Sequence, residues 1–138
     1  MSGFLSIPAE DISDVPEPSV VRTEEECSLR ITDVKFAQNK NDEPYALMRF
    51  AFVEHADTKT FTKYFPVPHA SMDVEKRNGA LRNLKYFYEA FEIDYSTGEV
   101  GLEELVGAEG WAFVGVDEQE DSDYGPQNYV KRFIAPGK

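Results

Sequence analysis

Several features that would narrow the chemistry of this 138-residue chain are scarce or missing, and each shortage excludes something. Cys27 is the one cysteine, so there is no internal disulfide and no thiolate cluster for a metal, which fits a reducing, cytoplasmic setting. There are two histidines, His55 and His69, both in stretches that read as turns. No nucleophile motif, glycine-rich phosphate loop or paired-histidine metal helix accompanies them. No apolar run approaches the length of a membrane span, and no charged-then-apolar leader opens the chain, so no membrane contact is expected. No internal repeat is visible. Carboxylates are plentiful, but they cluster on segments without periodicity, where a pair cannot be held in productive geometry. The expectation is a protein that is not an enzyme and holds neither cofactor nor metal.

Positive charge is scarce as well. The formal net charge of −12 argues against nucleic acid at first sight. Its distribution weakens that objection. Residues 1–26 hold seven acids (Glu10, Asp11, Asp14, Glu17, Glu24, Glu25, Glu26) against Arg22, and residues 117–126 add Asp117, Glu118, Glu120, Asp121 and Asp123. The remainder carries 14 acids and 13 bases, so a near-neutral body bears two acidic appendages and can still present a local basic stripe.

Aromatic residues are abundant, at 13% of a chain whose length suits one domain with a single core. That share exceeds the needs of a small core, so some rings are expected at a surface. Pro8, Pro16 and Pro18 interrupt any period near the N-terminus, and residues 1–26 read as an acidic extended or disordered arm. Residues 27–138 read as the domain.

Leu29 and Ile31 alternate with Ser28, Arg30 and Thr32, the period of a half-buried strand. Val34 and Phe36 continue one residue out of step, which calls for a bulge at Thr32-Asp33. After the turn Asn39–Pro44, Tyr45 to Val53 form strand two, with Ala46, Met48, Phe50 and Phe52 as the more apolar set. Thr58 to Phe65 form strand three, and the pattern does not decide which of its parities faces inward. A helix starts near Ser71, with Ala80, Leu81, Leu84, Phe87, Tyr88 and Phe91 at helical spacing. Gly79 weakens its first turn, which reads as separate, with Asn78 as a second cap. Leu102 to Val106 make a short helical turn stopped at Gly107. Gly110 to Val116 and Asn128 to Ile134 then form a hairpin around the acidic connector. The connector lacks the glycine spacing and downstream Glu of a calcium loop. The chain is therefore mainly β with one principal helix. Three strands, a helix and two strands is the order of the five-stranded Greek-key barrel called the OB-fold, whose helix lies between strands three and four.

Such barrels hold single-stranded nucleic acid on strands two and three, where rings stack on bases and cations meet phosphates. With Met48, Phe50 and Phe52 inward, Tyr45 and Arg49 share the outer face of strand two. Arg30 and Lys35 extend it from strand one, and Phe61 with Lys63 from strand three, although Phe61 reads equally well as core. Trp111 sits beside Gly110, which leaves its ring accessible. Tyr129 and Lys131 repeat the ring-and-cation pairing on strand five.

Five stretches carry a family resemblance: Ser28-Leu29-Arg30-Ile31-Thr32-Asp33, Lys63-Tyr64-Phe65-Pro66-Val67-Pro68, Leu84 to Asp94, Gly107 to Gly115, and Gln127-Asn128-Tyr129-Val130-Lys131-Arg132-Phe133. Over roughly residues 25–134 the chain resembles the phage OB-fold single-stranded DNA-binding proteins. The resemblance implies protection of transient single strands in phage replication, recombination or repair, without sequence preference. Many such proteins carry an acidic C-terminal tail that recruits replication proteins. This chain ends Ala135-Pro136-Gly137-Lys138, so residues 1–26 are expected to recruit replication or recombination proteins, or to cover the DNA face. Two rival readings use the acidic charge directly: an adaptor lying on a basic partner such as a nuclease, and an inhibitor mimicking DNA. The sequence leaves oligomeric state open, self-association included.

Overall fold

A computed structural model describes residues 3, 5–16, 19–55, 57–118 and 125–136. In chain order these form α1 (Ala9–Ser13), β1 (Glu25–Gln38), β2 (Pro44–Phe52), β3 (Phe61–Pro66), α2 (Val74–Ala90), α3 (Leu102–Leu105), β4 (Glu109–Asp117) and β5 (Gln127–Ile134). All paired strands are antiparallel and lie in the order β3-β2-β1-β4-β5. The sheet curls into a half-barrel, with α2 between β3 and β4 in the chain.

The longest strand makes that curl possible. β1 pairs with β4 through its first half and with β2 through most of its length, and its register on β2 shifts between Ile31 and Asp33. The bulge expected at Thr32-Asp33 is therefore present. It absorbs one residue, so Leu29 and Ile31 before it and Val34 after it are all buried. Ala46, Met48, Phe50 and Phe52 of β2, Phe61 and Phe65 of β3, and Ala112 and Val114 of β4 complete the interior.

Helix α2 covers the mouth of this interior with Ala80, Phe87 and Ala90. Phe87 meets the rings of Phe65, Phe91 and Phe133 at centroid separations of 5.0, 4.9 and 5.4 Å. At Gly110 the approach is closest. A Cβ there would stand 2.6 Å from the Phe91 ring and 2.7 Å from the Ala90 carbonyl oxygen. Gly110 thus points inward and admits the helix end; the Trp111 ring beside it is exposed, as expected, but not because Gly110 opens space around it.

The half-barrel has a seam. β3 and β5 are its two edges, and the alternation of directions through β2, β1 and β4 makes them run the same way. Near their far ends they meet through Phe65 and Phe133, 6.2 Å apart. At the near end a strap closes the gap. Ser19 bridges Thr58 in parallel fashion, its carbonyl accepting from the Lys59 N–H at 2.7 Å. Two residues later, Asn128 of β5 clasps Val21: the Val21 N–H donates to Oδ1 at 3.0 Å, and Nδ2 donates to the Val21 carbonyl at 2.9 Å.

Several sequence boundaries move for these reasons. Residues 19–26 are not arm: Val20 and Val21 are buried and β1 begins at Glu25. Thr58 and Lys59 pair with the strap rather than with β2, so β3 starts at Phe61, not Thr58. α2 begins at Val74 rather than near Ser71 and runs unbroken through Gly79, so Asn78 caps nothing. Leu81, expected to pack inward, is exposed. Within the arm, residues 9–13 form one helical turn despite the flanking prolines. Among the described residues, no helix is long and apolar enough to cross a membrane.

Candidate nucleic-acid interface

Residues directly opposite one another in a sheet share a face, so the register fixes the composition of the outer wall. Across β1, β2 and β3 it places Lys35 beside Leu47 and Tyr64, then Asp33 beside Arg49 and Thr62, with Ala37 beside Tyr45. Tyr45 and Tyr64 stack diagonally, 4.9 Å between centroids with planes 30° apart, and 47% of Tyr64 is exposed. Lys35 and Arg49 are exposed, and neither forms an ion pair among the described residues. The β1–β2 turn beside Tyr45 is held firmly. Asn39 Oδ1 accepts from the backbone N–H groups of Asn41 and Glu43 at 2.8 and 3.1 Å, and the Asn39 N–H donates to the Glu43 carbonyl. His69 stands nearby, its Nε2 3.9 Å from Glu43 Oε2 and without a hydrogen bond among the described residues.

The wall continues over β4 and β5. Trp111 lies between Ser28 and Ile134 and is 42% exposed. Phe113 lies between Glu26 and Arg132, whose guanidinium sits 4.6 Å from the Phe113 ring centre. Tyr129 is exposed opposite Gly115. Here three cations already have carboxylate partners, while Arg132 rests on the Phe113 ring. Arg30 Nε donates to Glu109 at 2.8 Å, Lys131 Nζ meets Glu24 at 2.7 Å, and Arg22 meets Glu118 at 2.8 Å. The bond to Glu24 holds the Lys131 ammonium above its ordinary range.

Of the nine residues named from sequence, the structure brings Lys35, Tyr45 and Arg49 together on one half of the wall. Arg30, Trp111, Tyr129 and Lys131 occupy the other. Phe61 and Lys63 are on neither. Phe61 is buried against Phe50 and Phe52, at 5.5 and 5.6 Å, and belongs to the core. Lys63 shares that inward parity and emerges at the seam, half-buried, with Nζ 5.3 Å from the Phe65 ring centre. Burial pushes its ammonium below the ordinary range.

Sequence reasoning missed Tyr64, although the signal was present. Phe61 and Phe65, four apart with one parity, outweigh Thr62 and Tyr64 as core material, which sends Tyr64 outward. It also missed Asn128, whose buried amide additionally donates to the Gly115 carbonyl at 3.0 Å. Nothing local marks that asparagine, because its partner Val21 is 107 residues away. Glu120, Asp121, Asp123 and Tyr124 of the connector lie outside the described residues. Among those described, no group of three or more His, Cys, Asp or Glu side chains could hold a metal ion.

No protein-family model matches the chain, and no curated protein matches it in sequence.

Proposed function

We propose that this chain is an OB-fold protein that binds single-stranded DNA without sequence preference, in phage replication or recombination. One observation carries the reading: the Tyr45–Tyr64 stack lies on the outer wall beside two cations, Lys35 and Arg49, that form no ion pair among the described residues. Stacked bases need a flat exposed ring, and phosphates need cations not already neutralised. Strand order supports the fold assignment. β1 pairs with both β2 and β4, β3 meets β5 at the seam, and the helix lies between β3 and β4, as in that barrel.

Fluorescence anisotropy of labelled oligo-dT tests the reading. Binding is expected to weaken as salt rises, because cations condensed on the phosphates are released on association. No binding at low salt, with the protein folded, overturns it.

A second reading rests on the arm. Leu5, Ile7, Ile12 and Val15 are all exposed, interleaved with Glu10, Asp11 and Asp14. Acidic-apolar chemistry of this kind suits a basic protein partner, a replication or recombination enzyme in the phage setting. Removing residues 1–16 leaves the strap intact. It should abolish a salt-sensitive complex with such a partner, and it should tighten DNA binding at low salt if the arm also shields the wall.

A further inference from the structure

At the seam, a groove of about 400 Å3 lies between β3, β5 and α2, lined by Lys63, Asn83, Tyr86 and residues 130–133. Lys131 and Arg132 contribute wall to it, but their charged ends are engaged elsewhere, on Glu24 and over Phe113. Lys63 is half-buried in the groove, its Nζ 5.3 Å from the Phe65 ring centre of its own strand, and it has no carboxylate partner among the described residues. Beside it, the Asn83 side-chain amide makes no hydrogen bond within the described residues. The Tyr86 ring is 52% exposed and stacks on no other ring there. On α2, Arg82 and Lys85 flank this pair, both exposed and both without an ion pair among the described residues.

A free ring, an unused amide with donor and acceptor, and a desolvated cation without counter-ion match the three parts of one nucleotide: base face, base edge and phosphate. Location strengthens the match. Lys63 is the chain neighbour of Tyr64, and β3 is an edge strand, so the two side chains stand on opposite sides of a boundary one residue wide. A single strand lying on the Tyr45–Tyr64 stack and crossing β3 arrives in the groove.

We infer that this groove is a further nucleotide subsite, where single-stranded DNA leaving the β2–β3 wall continues along α2. Tyr86 stacks on a base, Asn83 meets its edge, and Lys63, with Arg82 and Lys85 beyond it, meets the phosphates. The inference rests on the single-stranded DNA reading above. An acidic peptide such as the arm of a second copy would neutralise Lys63, but it would leave the Asn83 amide and the flat Tyr86 ring without a specific counterpart.

The test compares labelled oligo-dT of about 6 and about 15 nucleotides, lengths that bracket a short wall footprint and a long wrapped one. Tyr86→Ala should weaken the longer oligonucleotide at least about fivefold and leave the shorter unchanged, since stacking contributes about 1 kcal/mol or more per base. Lys63→Met should lower the salt slope for the longer one by about 0.7. Tyr64→Ala should weaken both lengths. Tyr86 is exposed, so its variant keeps the fold even if Lys63→Met does not. If Tyr86→Ala matches wild type at both lengths while Tyr64→Ala weakens both, the subsite is overturned and the DNA reading stands. If wild type binds neither length, both fall. If Tyr86→Ala instead weakens a synthetic peptide of residues 3–16 and leaves oligo-dT binding intact, the groove is a peptide dock and the inference is overturned.

Discussion

On the β4–β5 side of the molecule, Arg22 holds Glu118, Arg30 holds Glu109 and Lys131 holds Glu24. On the β2–β3 side, Lys35 and Arg49 stand beside a pair of stacked tyrosines and form no ion pair among the described residues, although Asp33 lies opposite Arg49; Lys63, Arg82 and Lys85 form none there either. The two sides use the same residue types, a ring next to a base. They differ in whether the base has been neutralised internally. A net charge of −12 conceals this, because it does not say which bases the acids are paired with. The difference teaches that a strand-by-strand pattern of rings and cations marks a surface without saying whether that surface is available.

The contrast can be broken or sharpened by experiment, and the largest effect concerns the side where polar groups serve the fold. Asn128→Ala removes the partner of the Val21 N–H, the Val21 carbonyl and the Gly115 carbonyl. Leaving such buried groups unpaired should destabilise the protein by about 3 kcal/mol in urea unfolding. Oligo-dT affinity of the folded fraction should be unaltered, and a loss of affinity would mean that the two sides are not separable.

Next in size is the tyrosine stack. Tyr64→Ala should cost about 1–3 kcal/mol of oligo-dT affinity, roughly fivefold to over a hundredfold, with the urea midpoint little changed. Trp111→Ala, on the neutralised side, should cost distinctly less. Equal losses would erase the distinction drawn here.

A smaller effect is expected in the helix that closes the half-barrel. Nothing lies within 4 Å of a Cβ built at Gly79, and the residue is inside α2, so Gly79→Ala should stabilise the fold by about 1 kcal/mol. The smallest effect is in salt dependence. Arg49→Gln should lower the slope of log affinity against log salt by about 0.7, whereas Lys131→Gln should leave it unchanged. Glu24→Gln, which frees Lys131, should raise it.

The Cys27 thiol gives a check of the interior that is independent of any ligand. Burial first, then the charges of Glu25 and Glu54, push it from 9.0 up to about 11. A raised folded value means that the thiol's contribution is complete below pH 9 and is lost as pH climbs toward 11. Stability should decline across that window, and Cys27→Ala should flatten this part of the profile.

What could be read from the residues alone was whatever depends on neighbours in the chain. Alternation in β1 and β2, the bulge at Thr32-Asp33, the helical spacing of Ala80, Leu84, Phe87 and Phe91, and the turn at Asn39–Pro44 are all local, and all are present. Tyr45, Lys35 and Arg49 followed from the parity of β2 and its register with β1. What could not be read depends on partners far away. The inward placement of Phe61 is decided by Phe50 and Phe52, the neutralisation of Lys131 by Glu24, and the docking of Val20 and Val21 by an asparagine near the other end. Gly110 was visible, but its meaning was not, because Phe91 had to be in place before a side chain at 110 became intolerable.

The clasp between Val21 and Asn128 also has a temporal side. Its two members are separated by 107 residues, so during synthesis the β1–β2–β3 meander is complete long before its last fastening exists. Contacts this distant in sequence slow folding, since a long loop must close before any of them forms. The nascent chain therefore carries the near end of its seam unlatched until β5 follows and shuts it.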